Sequence, residues 1–217
     1  MEDDTDTFVQ RKDTFFILED PASMRNYLLA NLGLAFLQNL ARIVIHEFSH
    51  AIAAWLAGGE VKDIIITGFG GTTIWTETVN TIPPESVALF YLAGVIGEVI
   101  ALLPIGAILF YKMPRKKGIT MIGYWILMLQ VIGVGYWCIC AYYCRVSTYD
   151  PIGFSIFANV EPETVGSLAC IPFFMVVIHA MYITVRVEKK LLRDPFKIHV
   201  WTILAAFVML MITGDVA

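Results

Sequence analysis

Charged residues are scarce in this sequence. They make up 16% of its 217 residues, whereas 58% are hydrophobic and the mean hydropathy is +0.70. A soluble domain has about 45–50% apolar residues and roughly a quarter charged ones. The shortage of charge therefore argues against a soluble globular domain and favours a chain whose outer surface faces lipid. The length fits one compact bundle.

Signals of several other protein classes are missing. No basic stretch interleaved with aromatic residues is present, so we expect no nucleic-acid partner. Residues 1–25 are acidic and contain no apolar core of the kind that a secretory signal peptide has, so we expect no signal peptide there. The four cysteines lack the paired doublets of a zinc ribbon, so apolar packing is favoured over metal binding for them. They are Cys138, Cys140, Cys144 and Cys170.

Long apolar stretches dominate what is present. A membrane-spanning helix takes about 20 mostly apolar residues, and five stretches reach or approach that length. They run from Tyr27 to Leu56, Val87 to Tyr111, Ile119 to Tyr143, Val165 to Val187 and Ile198 to Ile212. The sequence predicts an all-α transmembrane bundle of about five membrane helices. We expect an acidic N-terminal segment, residues 1–25, followed by one integral membrane domain, residues 26–217, with its core in residues 26–160.

A short β hairpin is expected after the first span. Gly58-Gly59 marks the end of that helix. β-Branched residues then flank Gly68–Gly71, which is typical of two strands joined by a turn. A hairpin at membrane depth survives only where protein or water satisfies its backbone, so we expect it to line a cavity or to lie at the interface.

Lysine and arginine predict the orientation of the chain. If the N-terminus is cytoplasmic, twelve basic residues face the cytoplasm and only Lys62 and Arg145 face the other side. Because positive charge accumulates in cytoplasmic loops, we expect the N-terminus inside. The twelve are Arg11, Lys12, Arg25, Lys112, Arg115, Lys116, Lys117, Arg186, Lys189, Lys190, Arg193 and Lys197.

The first span carries the motif HEFSH, residues 46–50. Histidines at positions i and i+4 share one helix face, where His46 and His50 can both reach one cation. Zn²⁺ suits imidazole ligands and tolerates an open fourth position. Glu47 is adjacent and is expected to be the catalytic general base for a metal-activated water. Without such a role, these polar groups in a lipid-spanning helix would carry a large desolvation penalty.

The residues around this motif resemble the core of the site-2 protease family of intramembrane metalloproteases. HEFSHAIAAWLAGGEVKDIIITGFGGTT shares the HExxH motif, the small residues, the Gly-Gly helix end and the glycine-rich β segment. In the second span, LAGVIGEVIALLP resembles the family's Ala-Gly-Pro-x-x-Asn helix, with Val95 replacing proline and Glu98 replacing asparagine. The resemblance covers roughly residues 40–155. It implies hydrolysis of a peptide bond in a membrane-protein substrate helix.

The resemblance also implies an aspartate as third zinc ligand. The matching position is Asp150, in STYDPIGF, although Pro151 stands where glycine is usual. Independently of the resemblance, Asp150 follows the third span on the side where the first span ends. The alternatives are a helix N-cap role for Asp150, or Glu98 or His179 as the ligand.

Two further charges lie inside predicted spans. Glu98 is open to three roles: third ligand, partner of a ligating histidine, or contact for the substrate backbone, of which the second is preferred. Arg42 lies one turn before His46, and its position near the centre of the span favours a pair with Glu98 or Asp150. The alternative is that its side chain snorkels to an interface.

The hairpin is a candidate for binding the substrate. An exposed strand edge can hold an extended peptide by main-chain pairing, and Thr72, Thr73 and Ile74 are candidates for that edge. The alternative is a plain connector. Taken together, the sequence predicts an intramembrane zinc metalloprotease whose partners are the lipid bilayer and a substrate helix. The alternative function is a non-proteolytic membrane metal-binding protein, a transporter or a regulator. The oligomeric state stays open.

Overall fold

The computed structural model describes residues 21–67, 70–76, 82–112, 117–144, 146 and 148–191. In chain order its elements are helix α1 (Pro21–Leu56), strands β1 (Glu60–Ile66) and β2 (Gly71–Thr76), and helices α2 (Pro84–Ala107), α3 (Lys117–Tyr143), α4 (Asp150–Ala158) and α5 (Pro162–Leu191). A π-helical segment, Ile108–Lys112, continues α2. The predicted fold class, a helical bundle with a small hairpin after the first helix, is confirmed.

Four helices are long and apolar enough to cross a bilayer: Leu29–Leu56, Pro84–Lys112, Gly118–Tyr143 and Pro162–Val185. They coincide with the first four predicted spans, so the chain is a multi-pass membrane protein. The fifth predicted span, Ile198–Ile212, lies outside the described residues. Residues 1–20 lie outside them too, and residues 21–25 of the predicted N-terminal segment already belong to α1. The orientation in the membrane stays a prediction.

Helix α3 occupies the centre of the bundle. In its apolar stretch 67% of the residues are buried, against 11–28% in the other three spans. Tyr124 and Leu127 of α3 and Ile183 of α5 are almost fully buried in one apolar cluster. The outer helices turn side chains such as Ile100 and Ile178 outward. Lipid can cover those apolar faces, whereas polar side chains need partners inside the bundle.

Local signals explain where the elements around the site begin and end. Helix α1 stops at Leu56, and Gly58 adopts a left-handed backbone with φ of 82°, which glycine adopts without steric cost. Pro84 opens α2, where its missing N–H has no helical partner to lose. The end of α1 follows the sequence expectation, and α2 begins three residues before the predicted span, which started at Val87.

The hairpin is a two-stranded antiparallel sheet. Its register pairs Ile64 with Thr73 and Ile66 with Gly71, and an irregularity separates Val61 from Asp63. The predicted hairpin is present, with β1 beginning at Glu60. The sheet contacts α1 through both strands, which places β2 beside the HEFSH motif.

The cysteines depart from the packing expectation. Cys138 of α3 is disulfide-bonded to Cys170 of α5, and Cys140 is bonded to Cys144. The first bond spans 32 residues of sequence, so the pairing depends on how α3 and α5 pack. Cysteine spacing alone does not reveal that contact.

Candidate metal centre

Three ligand atoms converge between α1 and α4. His46 Nε2 lies 2.9 Å from Asp150 Oδ2 and 3.0 Å from His50 Nε2, and His50 Nε2 lies 3.4 Å from Asp150 Oδ2. Tetrahedral zinc with bonds of about 2.0–2.1 Å holds its ligand atoms roughly 3.3 Å apart. The three donors thus have the identity and nearly the separation of a zinc site with one position left open. They are the one such group among the described residues.

The chain brings Asp150 to the histidines across 104 residues of sequence. His46 and His50 project from one face of α1, while Asp150 is the first residue of α4. Tyr149, not Asp150, occupies the N-cap position of α4, and no side-chain cap bond is made. The N-cap interpretation of Asp150 is therefore wrong, since its carboxylate turns to His46 and His50 instead.

The second nitrogen of each imidazole is held by an acceptor. His50 Nδ1 lies 2.6 Å from the Phe90 carbonyl oxygen, and His46 Nδ1 lies 2.6 Å from Glu98 Oε1. A carbonyl and a carboxylate can only accept, so each Nδ1 carries the proton. The Nε2 atoms of His46 and His50 then carry lone pairs that face each other and the Asp150 carboxylate. Three electron-rich atoms this close repel one another, and a cation between them removes that repulsion. Without metal, a proton on one of these atoms can serve as the cation. Metal binding displaces that proton.

Asp150 is suited to be a ligand at neutral pH. It lies outside the four apolar spans. Burial opposes its ionisation, but hydrogen bonds and charge interactions with His46 and His50 outweigh that effect and lower the pKa of the carboxyl group to about 2. The side chain is therefore a carboxylate, the form that binds metals.

Glu98 and Arg42 form a partly buried ion pair behind His46. Arg42 Nη1 donates to Glu98 Oε1 at 2.9 Å, and the Glu98 side chain is only 1% exposed. Arg42 is expected to pair with Glu98 or Asp150, and in the structure it pairs with Glu98. Oε1 of Glu98 accepts hydrogen bonds from His46 Nδ1 and Arg42 Nη1. Glu98 is therefore placed to orient the imidazole of His46 rather than to bind the metal itself. His179 lies elsewhere, bonded to the Tyr111 hydroxyl at 2.8 Å.

Glu47 lies under the hairpin. It is 4% exposed, and the Thr73 hydroxyl lies 2.7 Å from Glu47 Oε2 and 2.9 Å from the Glu47 carbonyl oxygen. Gly71 packs so closely that an added Cβ would lie 2.5 Å from Glu47 Cγ. Thr73 of the hairpin therefore orients Glu47. The neighbouring side chains of β2, those of the other predicted strand residues Thr72 and Ile74, point away from Glu47 and are exposed.

Several contributors to the site carry no sequence signal. The Phe90 carbonyl belongs to the backbone, and the ring of Phe90 stacks on Trp75 of β2 at 4.7 Å. Tyr136 of α3 contacts the ring of Tyr149 at 6.3 Å, next to Asp150. Aromatic residues are common near the ends of membrane spans, so the sequence does not show which of them contact the site. The packed structure does.

Comparison with known proteins finds no matching family model, no matching curated protein and no matching solved structure. The functional assignment of the site therefore depends on its own geometry and on the motif resemblance.

Gly94 provides the clearest structural test of the metal centre. A Cβ at this position of α2 would lie 2.5 Å from Nε2 of both His46 and His50. We expect Gly94→Ala to displace the imidazoles and to remove most bound zinc, while the protein still inserts and folds. Zinc per chain in detergent-purified protein is the measurement. Gly33→Ala is the matched control, because a Cβ there meets nothing within 4 Å, and unchanged zinc in Gly94→Ala would contradict the geometry.

Proposed function

We propose that this chain is an intramembrane zinc metalloprotease of the site-2 type, which hydrolyses a peptide bond of a membrane-protein substrate. The observation that carries the proposal is the convergence of His46, His50 and Asp150 on one point, together with the buried Glu47 of the HExxH motif that supplies both histidines. A site that only stored or sensed metal would not need a buried glutamate held at this position.

His46, His50 and Asp150 are the residues that would hold Zn²⁺. Three protein ligands leave the fourth position open, as catalytic zinc sites require. Zinc, when bound there, supplies Lewis acidity that lowers the pKa of a water to about 7 and polarises a carbonyl group. Glu98 and the Phe90 carbonyl orient the two imidazoles through their Nδ1 atoms.

Glu47 acts as general base and then as general acid. The Thr73 hydroxyl holds Oε2, while Oε1 has no hydrogen-bond partner among the described residues. Oε1, which lies beside Gly71 of β2, is the atom proposed to take a proton from the attacking water and later to give it to the leaving amine. Its burial beneath the hairpin limits competing solvent.

The outer edge of β2 is proposed to hold the substrate. Strand β1 pairs with one edge of β2, and no described strand pairs with the other. A substrate helix that unwinds near the site can pair its backbone with Thr72, Thr73 and Ile74. Because Thr73 also contacts Glu47, this pairing would bring an extended backbone beside the base.

Cleavage by the purified chain tests the proposed function. The zinc-loaded protein is reconstituted into liposomes with a panel of single-span membrane proteins. We expect cleavage of at least one of them, loss of cleavage with a zinc chelator, and recovery on adding zinc. Zinc-loaded protein that cuts none of them but carries metal across the bilayer would support the alternative, a non-proteolytic membrane metal-binding protein.

A further inference from the structure

Besides Trp137 Nε1, three polar atoms of buried side chains lack a hydrogen-bond partner among the described residues. The atoms are Asn39 Nδ2 of α1, Glu98 Oε2 of α2 and Gln130 Nε2 of α3. Each of the three residues is 1% exposed. Buried polar groups in native proteins almost always have a partner, either protein or ordered water. Each of these atoms therefore needs a partner, and two of the three residues contact Arg42.

Arg42 links two of these residues. Its Nε donates to Asn39 Oδ1 at 3.3 Å, and its Nη1 donates to Glu98 Oε1 at 2.9 Å. Helix α3 approaches the same pair at Gly133, where an added Cβ would lie 2.6 Å from Glu98 Oε2 and 3.5 Å from Arg42 Nη1. The unpaired oxygen of Glu98 thus faces α3.

Helix geometry puts the third residue at the same place. Helices α1 and α3 run in the same direction, since Asn31 bonds to Trp125 at one level and Arg42 lies near Gly133 further along both helices. Asn39 precedes Arg42 by three residues, and Gln130 precedes Gly133 by three. At 1.5 Å per residue, the backbone of Asn39 lies about 4.5 Å before that of Arg42 along α1, and the backbone of Gln130 lies about 4.5 Å before that of Gly133 along α3. Residues three apart share a helix face, so both amides belong to the interface that Glu98 enters.

We propose that Asn39, Gln130 and Glu98 bind one ordered water molecule between α1, α2 and α3. The two amide N–H groups donate to the water oxygen, and a water hydrogen is donated to Glu98 Oε2. Three hydrogen bonds are typical of a buried water. Two amide donors disfavour a metal cation here, and the Glu98 carboxylate disfavours an anion.

The bound water fixes the second oxygen of the carboxylate that orients His46. Oε1 of Glu98 is held by His46 and Arg42, and the water holds Oε2. Asn39 and Gln130 are therefore positioning residues that act on His46 through Glu98. This consequence rests on the proposed function, whereas the water site itself does not.

A double-mutant cycle in the metal-free full chain tests the water site. The Tm of detergent-solubilised protein is measured with a chelator for Asn39→Leu, Gln130→Leu and the double variant. Each single change leaves the remaining polar atoms unsatisfied, so we expect Tm to fall by roughly 3–8 °C. The double variant removes both donors and should lose clearly less than the sum. Strictly additive losses would overturn the proposal.

Gln130→Leu combined with Tyr142→Phe is the control pair. Tyr142 lies on the same helix about 18 Å away and is bonded to Ser167 at 2.6 Å. Their losses should add. A direct contact between the two amides would also make the losses non-additive, so an experimental structure that resolves ordered solvent completes the test. Solvent density bonded to all three atoms supports the site, and a direct amide–amide bond without solvent contradicts it. Failure of wild type to bind zinc would remove the proposed protease function and leave the coupling between Asn39 and Gln130 intact.

Discussion

Glu47→Gln is expected to reduce peptide cleavage by roughly 10²–10⁴-fold, the range that a general base contributes. The amide cannot take the proton at Oε1, yet it preserves the size of the side chain and can still accept the Thr73 hydrogen bond. Zinc content should stay at the wild-type value, because Glu47 is not among the three convergent ligands. The measurement is the initial cleavage rate together with zinc per chain.

Glu60→Gln is the matched control for this prediction, since Glu60 is an exposed residue of β1. It should leave both rate and zinc unchanged. Full cleavage by Glu47→Gln would exclude Glu47 as the base. A protein that never cleaves, shows metal-dependent flux in the wild type and keeps part of that flux in Glu47→Gln would point to transport.

Asp150→Ala is expected to abolish stoichiometric zinc binding. The change leaves two histidine ligands and removes the carboxylate that offsets the charge of the metal. Glu98→Ala should have a smaller effect and lower zinc affinity by about 10–100-fold, because Glu98 contacts the imidazole of His46 rather than the metal position. Competition with a zinc chelator of known affinity separates the two variants.

Asp63→Ala is the control for the loss of one aspartate, since Asp63 is exposed on β1. It should bind zinc as the wild type does. The reverse order of effects, with zinc kept in Asp150→Ala and lost in Glu98→Ala, would make Glu98 the third ligand.

The sequence predicts those parts of the fold and site that depend on local pattern. Span length and hydropathy locate four helices because each crossing needs the same run of apolar residues. Gly58 and the β-branched residues locate the end of α1 and the hairpin. The i, i+4 spacing of His46 and His50 places both rings on one face of α1, since a helix repeats every 3.6 residues.

Other features depend on contacts between distant segments. The Phe90 carbonyl, the Arg42–Glu98 pair and the Cys138–Cys170 bond each join residues of different helices. Asp150 is intermediate, because the side of the membrane on which it lies can be counted from the spans, whereas its contact with His46 needs the packed bundle. The proposed water-mediated link between Gln130 and Asn39 has no sequence signal, since a lone glutamine in a span fits many roles.

Zinc content of detergent-purified wild-type chain, with His46→Ala as the blank, tests the central claim most directly. The account predicts about one zinc per chain in the wild type and a large loss in the variant, because His46 is one of three ligands at a single site. Well-folded wild-type protein that holds no zinc after incubation with the metal would contradict the account.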